Sequence, residues 1–456
     1  MSLNVFVRAA AQSQALTEGV SAVSINFAEW LDAYGETSWD FQSFYAGPIG
    51  GRAKSLYYRN RLLGTAAVAP MVFCEAFLPS ARRLFDHRMR FPIADAHYAM
   101  GFAFLYQTTA NLAYLQRAMH FLEVLEKTRC RQFKEYCWGY PFDWVCRGGT
   151  IEKQTPLITT TPYVYEAFLQ ILEIAEKALE VARPSSEGEP PISDLCPPNL
   201  RDQWRQILQS IARHAAKDIK DFKTSETASS CSYTHHLPGV VINAAAYRAF
   251  LLTSASQVLA EEGYWSIAER NLNFVLENQN RDGSWYYAMD GVRDFVDHFH
   301  TCFVMKALAK IHFLTNHEGC AAALAKGLNY YLENLLAADG LPRPFSKAPR
   351  LTVYKRELYD CAECINLCLL LRNRFPQLQV ILETVVHGVL KEWVKPDGSF
   401  RSRRLYWGWD NVPMHRWGQS QMFRSLAFYL SEARRVTIDE GGFPVHQLST
   451  LSSQAP

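Results

Sequence analysis

Asp-Gly dipeptides at 282–283, 339–340 and 397–398 recur at steps of 57 and 58 residues, each after the same pair of helical patterns. Self-similarity at a fixed spacing of this size marks an architecture of stacked supersecondary units. One unit runs from Asn243 (NAAAYRAFLLTSASQVL) through SIAERNLNFVLENQ to the first Asp-Gly. The next runs from Thr301 (TCFVMKALAKIHFL) through AAALAKGLNYYLENLL to the second. The third runs from Cys361 (CAECINLCLLLRNRF) through LQVILETVVHGVLKEWV to the last.

The two helices of a unit differ in pattern. In the first, Phe303, Val304, Met305, Ala307, Leu308 and Ile311 leave only a narrow stripe for Lys306 and Lys310. A helix apolar on nearly every side must be surrounded by protein. In the second, Leu382, Val386, Val389, Leu390 and Trp393 form one apolar stripe with polar residues opposite, so that helix is half exposed. An inner ring wrapped by an outer ring follows. Extending the register places six inner helices near His97, Pro162, Asn243, Thr301, Cys361 and Gln419. Five intervening outer helices and an N-terminal helix near Tyr58 to Leu84 bring the count to twelve, which closes the ring. The predicted fold is all-α, an (α/α)6 toroid of six inner and six outer helices over residues 58–436. An N-terminal extension (1–57) precedes it, a Pro/Ser-rich insertion interrupts it at 184–199, and a C-terminal tail (437–456) follows. The period-two alternation of a sheet is sparse, and an open superhelix of helix pairs is the competing architecture.

Composition narrows the function. A formal charge of +2 with no long basic run lacks the footprint of a nucleic-acid binder. No window approaches 18 consecutive apolar residues, so no integral membrane segment is expected. The N-terminus shows no basic region followed by a sustained apolar stretch, which points to a cytoplasmic protein. Eleven scattered cysteines fit a reducing compartment. Cys361, Cys364 and Cys368 lie on an apolar helical run and read as buried thiols rather than a metal knuckle. The sequence does not set an oligomeric state.

If outer and inner helices alternate, every loop leading into an inner helix opens at the same mouth. These loops carry the chain's polar and aromatic oddities, among them CWGYPFDWVCRGG, SCSYTHHLPGVV, YYAMDGVRDFVDHFH and RSRRLYWGWDNVPMHRWGQ. Candidate catalytic residues are Asp143, His236, Asp294, His298, His300, Tyr359, Asp410 and His415. Candidate substrate-binding residues are Trp144, Arg147, His235, Asp297, Trp407, Trp409, Arg416 and Trp417. Titratable groups among aromatics in a cleft have the makeup of an active site, and aromatic faces suit sugar rings. Arg416 could pair with the carboxylate of an acidic sugar. Asp143, between Phe142 and Trp144, suits a general acid, or else it satisfies backbone donors in a turn. His235 and His236 are adjacent, so their side chains are expected to diverge. No cofactor is predicted. A divalent metal on Asp294, Asp297 and His298 stands beside acid/base work by His298 or His300 and simple helix capping by Asp297 or Thr301.

HRWGQSQMFRSLAFYL, residues 415–430, resembles the final inner helix of toroidal unsaturated-glucuronyl hydrolases, which implies acid/base work on uronic-acid glycans. CWGYPFDW followed by TPLITTTPYVYEAFL resembles a family encoded among bacterial surface-polysaccharide biosynthesis genes, a likeness extending from about Tyr57 to Ala433. It implies a glycan context and assigns no catalytic residues. ENQNRDGSWYY resembles the Gln-Trp repeats of triterpene cyclases, but the D-x-D-D acid those enzymes need is missing. The function expected is a carbohydrate-active enzyme on an acidic polysaccharide or oligosaccharide, acting by hydrolysis, elimination or epimerisation. The alternatives are a terpene cyclase or prenyltransferase-like enzyme on an isoprenoid and a non-catalytic glycan-binding protein. A hydrolase needs two flanking carboxylates, while a lyase or epimerase needs His or Tyr to take a ring proton.

Overall fold

The structure, a computed structural model, describes residues 3–180, 192–236, 239–261, 263–349 and 352–440. Half of the Pro/Ser-rich insertion (184–191) and most of the C-terminal tail (441–456) lie outside them. Within them the helices begin with α1 (Leu3–Tyr34), α2 (Ser43–Ala46), α3 (Pro48–Arg59), α4 (Arg61–Phe77), α5 (Pro92–Thr109) and α6 (Leu112–Thr128). Next come α7 (Thr161–Glu180), α8 (Ile192–Leu195), α9 (Pro198–Arg213), α10 (Ile242–Val258) and α11 (Gly263–Glu277). The chain continues through α12 (His298–Thr315), α13 (Glu318–Asn334), α14 (Leu358–Leu371), α15 (Leu378–Glu392) and α16 (Ser420–Glu440).

Helices α5, α7, α10, α12, α14 and α16 pack each on the next, and α16 packs on α5, closing an inner ring. Their burial follows the sequence pattern. In α10 every residue from Ile242 to Ala255 is buried, whereas α11 buries only the stripe Tyr264, Ala268, Asn271, Leu272 and Val275 with Phe274 beside it. The first and last inner helices meet closely at Gly101, where a Cβ would stand 2.6 Å from the Phe423 ring.

The Asp-Gly repeat has one physical cause. Asp282, Asp339 and Asp397 each accept the backbone N–H two residues on, at 3.0, 3.2 and 3.0 Å. The glycines take φ of +93°, +75° and +88°, a region L side chains rarely adopt. Each turn is pressed against the next outer helix. A Cβ on Gly283 would come within 2.3 Å of Lys326 O on α13, and one on Gly340 within 3.0 Å of Thr384 on α15. On Gly398 it would meet Asn26 O at 2.7 Å. Asn26 belongs to α1, so the third turn identifies the next outer helix in the ring.

The twelfth helix is therefore α1, not the segment near Tyr58 to Leu84 expected for that place. α1 packs on α15 and α16, burying Val20, Phe27 and Leu31. Over 58–84 the chain forms instead the end of α3, α4 and a 3-10 turn, with a small separate core of Phe44, Ala53 and Met71. Helical pattern and apolar content fit both segments, and only the packing of α15 and α16 selects α1. Strands among the described residues are two to four residues long and lie in the mouth loops, forming sheets of at most three strands.

Candidate active site

The mouth loops span 35–91, 129–160, 214–241, 278–297, 335–357 and 393–419, and each is fastened to the next. Phe91 meets Phe142 at 6.4 Å. Ile158 N–H donates to Tyr233 O at 3.2 Å, and Met289 N–H donates to Val240 O at 2.9 Å. Val296 pairs with Lys347 and Tyr354 with Leu405 as antiparallel strand partners. Arg82 holds Asp410 through two bonds of 3.1 and 2.8 Å, joining the last loop to the first. Residues far apart in sequence thus become neighbours around one axis.

At the centre of the mouth lies an aromatic bowl. Trp417 stacks on Tyr359 with centroids 4.6 Å apart and meets the edge of Phe299 at 5.3 Å. Tyr287 stands 4.6 Å from the His300 ring and Phe299 4.3 Å from it. Tyr140 and Tyr233 flank Trp144 at 5.6 and 6.0 Å. Burial raises the hydroxyl pKa of Tyr233 and Tyr359, and that of Tyr287 to about 12, so these phenols stay protonated and can donate.

His300 is the one histidine in this bowl. Asp297 caps α12, accepting the His300 backbone N–H on Oδ1 at 2.9 Å, while its Oδ2 lies 2.6 Å from His300 Nδ1. The carboxylate holds Nδ1 as the protonated nitrogen, which leaves Nε2 with its lone pair. Among the described residues Nε2 has no hydrogen-bond partner, and the side chain is 22% exposed. His298 is two residues earlier, about 200° round the helix, and cannot share that face. It is fully buried, with Nε2 2.8 Å from Tyr331 Oη and Nδ1 3.4 Å from Asp360.

Below the bowl the ring's axis is filled. Tyr163 and Tyr247 share a hydroxyl contact of 2.5 Å, Lys306 pairs with Glu363 at 2.5 Å, and Lys310 pairs with Glu166. Little room is left among these groups, so ligand space lies at the mouth.

Several expected site residues are occupied elsewhere. Arg416 is buried and donates two hydrogen bonds to the Asp40 carboxylate at 3.0 and 2.6 Å, its guanidinium 4.5 Å from the Tyr140 ring centroid. It supports the bowl's wall and is not free for a sugar carboxylate, which corrects its expected role. Asp410 is locked by Arg82. His415 is fully buried, with Nδ1 2.5 Å from Tyr98 Oη and Nε2 3.0 Å from Gly35 O. Burial lowers its pKa to about 3, so it is a neutral structural group rather than an acid/base. Asp143 is exposed and accepts the Lys153 N–H at 2.8 Å, the turn role. Asp294 is a surface partner of Lys347 at 2.5 Å, and that hydrogen bond lowers its pKa.

Asp294, Asp297 and His298 therefore point to the surface, the helix cap and the wall, and do not converge as metal ligands. Among the described residues no group of three His, Cys, Asp or Glu side chains could hold a metal. Trp407 is exposed against Phe77, and Trp409 packs on Trp393 at 5.1 Å. Arg147 is exposed on a hairpin. His235 and His236 do not diverge: their rings lie 4.4 Å apart in a separate recess with Phe133, Glu152 and Lys153.

The bowl thus gathers Trp144, Asp297, His300, Tyr359 and Trp417 from the expected set and adds Tyr140, Tyr233, Tyr287 and Phe299. Glu357, also not anticipated, accepts Trp417 Nε1–H at 2.9 Å and pairs with Arg403 at 2.6 Å. Burial raises its pKa to about 7. The available signal was position, since each added aromatic lies in a loop leading into an inner helix or at the start of one.

No protein-family model matches the chain, and no curated protein is similar to it in sequence. Solved structures are similar in fold. An unsaturated glucuronyl hydrolase specific for heparin has a TM-score of 0.58 at 9% identity, over 92% of this chain and 98% of that one. A cellobiose 2-epimerase from Bacillus thermoamylovorans has 0.52 at 10% identity, over 76% and 90%. A GH76 α-mannanase from Bacteroides thetaiotaomicron has 0.52 at 9% identity, over 76% and 88%. At these identities the likeness is one of fold, and the fold of this chain is the (α/α)6 toroid of such carbohydrate-active enzymes.

Proposed function

We propose that the protein is a carbohydrate-active enzyme that moves a proton on a sugar held in the aromatic bowl. The observation that carries this reading is His300, with Nδ1 held by Asp297 and Nε2 without a hydrogen-bond partner among the described residues, beside Tyr287. In the proposed step Nε2 takes the proton from the carbon beside a carbonyl. The electron pair moves onto the carbonyl oxygen, and the hydroxyl of Tyr287 or Tyr359 donates to it. Return of the proton to the opposite face of the same carbon gives epimerisation. Its delivery to the former carbonyl carbon, with loss of the neighbouring hydroxyl proton, gives isomerisation, and loss of a leaving group one carbon further gives elimination. The fold's occurrence among a sugar epimerase and two glycoside hydrolases supports a sugar substrate.

Proton transfer is favoured over hydrolysis because the carboxylates expected to serve as a pair, Asp143, Asp294 and Asp410, are each engaged outside the bowl. We place the activity in bacterial surface-polysaccharide metabolism, from the likeness over Tyr57 to Ala433, and in a reducing cytoplasm, which the eleven free cysteines fit. The proposed step runs on side chains alone. The test is incubation with reducing sugars and uronic-acid oligosaccharides in D2O, followed by proton NMR. Exchange of one ring or carbonyl-adjacent C–H with solvent, lost in His300→Ala, supports the reading. New reducing ends without exchange overturn it in favour of hydrolysis.

A further inference from the structure

The hairpin α3–α4 stands outside the ring and carries an exposed apolar face. Ten of the seventeen bulky apolar side chains exposed among the described residues lie between Ile49 and Leu84. On α4, Leu62, Ala66, Ala69, Phe73 and Phe77 follow one another at steps of three or four, all exposed, forming a stripe about 22 Å long. Leu62 is 83% and Phe73 55% exposed. The buried side of the helix is also apolar, with Gly64 and Met71 against α2 and α3. Trp407, 70% exposed, extends the stripe from the last mouth loop by stacking on Phe77 at 5.2 Å. A patch of this kind marks an interaction surface.

Charge indicates what covers it. Arg52, Arg59, Arg61, Arg83, Lys355 and Arg404 are exposed on the hairpin and the adjoining strands, and among the described residues none is paired with an acid. Glu75, the only acidic residue between 48 and 84, is held by Arg403 at 2.8 Å. A second copy seated symmetrically would press these cations against their equivalents. An anionic bilayer surface instead accepts an apolar stripe lying flat, aromatic rings at its boundary and guanidinium groups among headgroup phosphates. No helix among the described residues is long and apolar enough to cross a membrane, so the hairpin lies on the surface.

We infer that α3–α4 is a docking surface for the face of an anionic membrane. The two hydrogen bonds from Arg82 to Asp410 fix it to the loop that carries Trp417, beside the bowl. Resting on the proposed function, this points to a glycan attached to a lipid headgroup as the substrate class.

The test is flotation of the full chain with vesicles of phosphatidylcholine alone and of phosphatidylcholine with phosphatidylglycerol, at low and high salt, without any sugar. The full chain is expected to float with the anionic vesicles, less so at high salt. Leu62→Glu/Phe73→Glu, at exposed positions and with melting unchanged, is expected to lose at least tenfold in binding. His300→Ala should float like the parent, which keeps this test separate from the enzymatic one. Absence of flotation with either vesicle, or equal flotation of the double variant, overturns the inference. So does a dimer in sedimentation that the double variant splits, since a second copy then covers the face.

Discussion

The axial well and the bowl above it are built on the same ring of inner helices from similar side chains, yet they differ in what is left unpaired. In the well the Lys306–Glu363 and Lys310–Glu166 pairs neutralise one another and the Tyr163 and Tyr247 hydroxyls share a bond, although Glu363 Oε1 has no partner among the described residues. In the bowl His300 Nε2 and the hydroxyls of Tyr140, Tyr287 and Tyr359 have no hydrogen-bond partner among the described residues. The well is closed by cation–carboxylate pairs with little room among them, which makes it a structural plug, whereas the bowl's groups stand at the mouth without partners among the described residues. Polarity alone does not mark a site in this molecule; incomplete pairing next to an opening does.

If this contrast holds, the two regions should answer to different measurements. The largest effect is expected for His300→Ala, whose turnover on an accepted sugar should fall about 10³-fold, the scale of a lost general base. Its melting temperature should stay close to the parent's, and a large drop in melting would make His300 a structural residue. Glu363→Gln should do the reverse. Leaving Lys306 buried without its partner costs about 3–5 kcal/mol, read as a lower urea midpoint, with rate per folded molecule little changed. Asp297→Asn tests the link between the regions. Asparagine still caps α12, so stability should hold while turnover falls on the order of tenfold to a hundredfold, less than with the base removed.

The smallest effect is a pH dependence. His415 has a folded pKa of about 3 because it is buried, against 6.5 for the free side chain. A group whose folded pKa is depressed contributes stability above its unfolded pKa and loses it as pH falls. The His415 contribution should decline by about 1.4 kcal/mol for each pH unit below 6.5. Buried His97, also lowered by burial, acts with the same sign. Glu357 and Asp95, raised by burial to about 7, act in the opposite sense, so the effect is read as the stability difference between the parent and His415→Gln. A parent-minus-variant difference in stability that stays level from pH 6.5 to 5 would contradict this.

The contrast between well and bowl was only partly visible in the sequence. Lys306 and Lys310 were readable as a polar stripe on a buried helix, but their partners Glu363 and Glu166 lie on other repeats. The cluster from Asp294 to His300 was readable as rich in titratable groups, with three roles open. Helical rotation decides among them: Asp297 caps, His298 turns into the wall and His300 faces the axis. Arg416 looked like a ligand-binding group and Asp410 like a catalytic one because Asp40 and Arg82, the residues that neutralise them, are more than 300 positions away. Tyr140, Tyr233 and Tyr287 stood inside the loop strings already singled out, but nothing beyond a shared place in loops leading into inner helices marked them as site residues.

By itself the sequence determined the repeat, the division into inner and outer helices, and hence a ring with all its long loops at one mouth. These follow from local rules, since burial pattern and the left-handed glycine turn are properties of neighbouring residues. Tertiary structure alone decided that α1 rather than α4 completes the ring, that α4 is left with an uncovered face, and which charged residues neutralise each other. Those outcomes depend on contacts between segments far apart in the chain, where several partners satisfy the same local pattern and packing selects one.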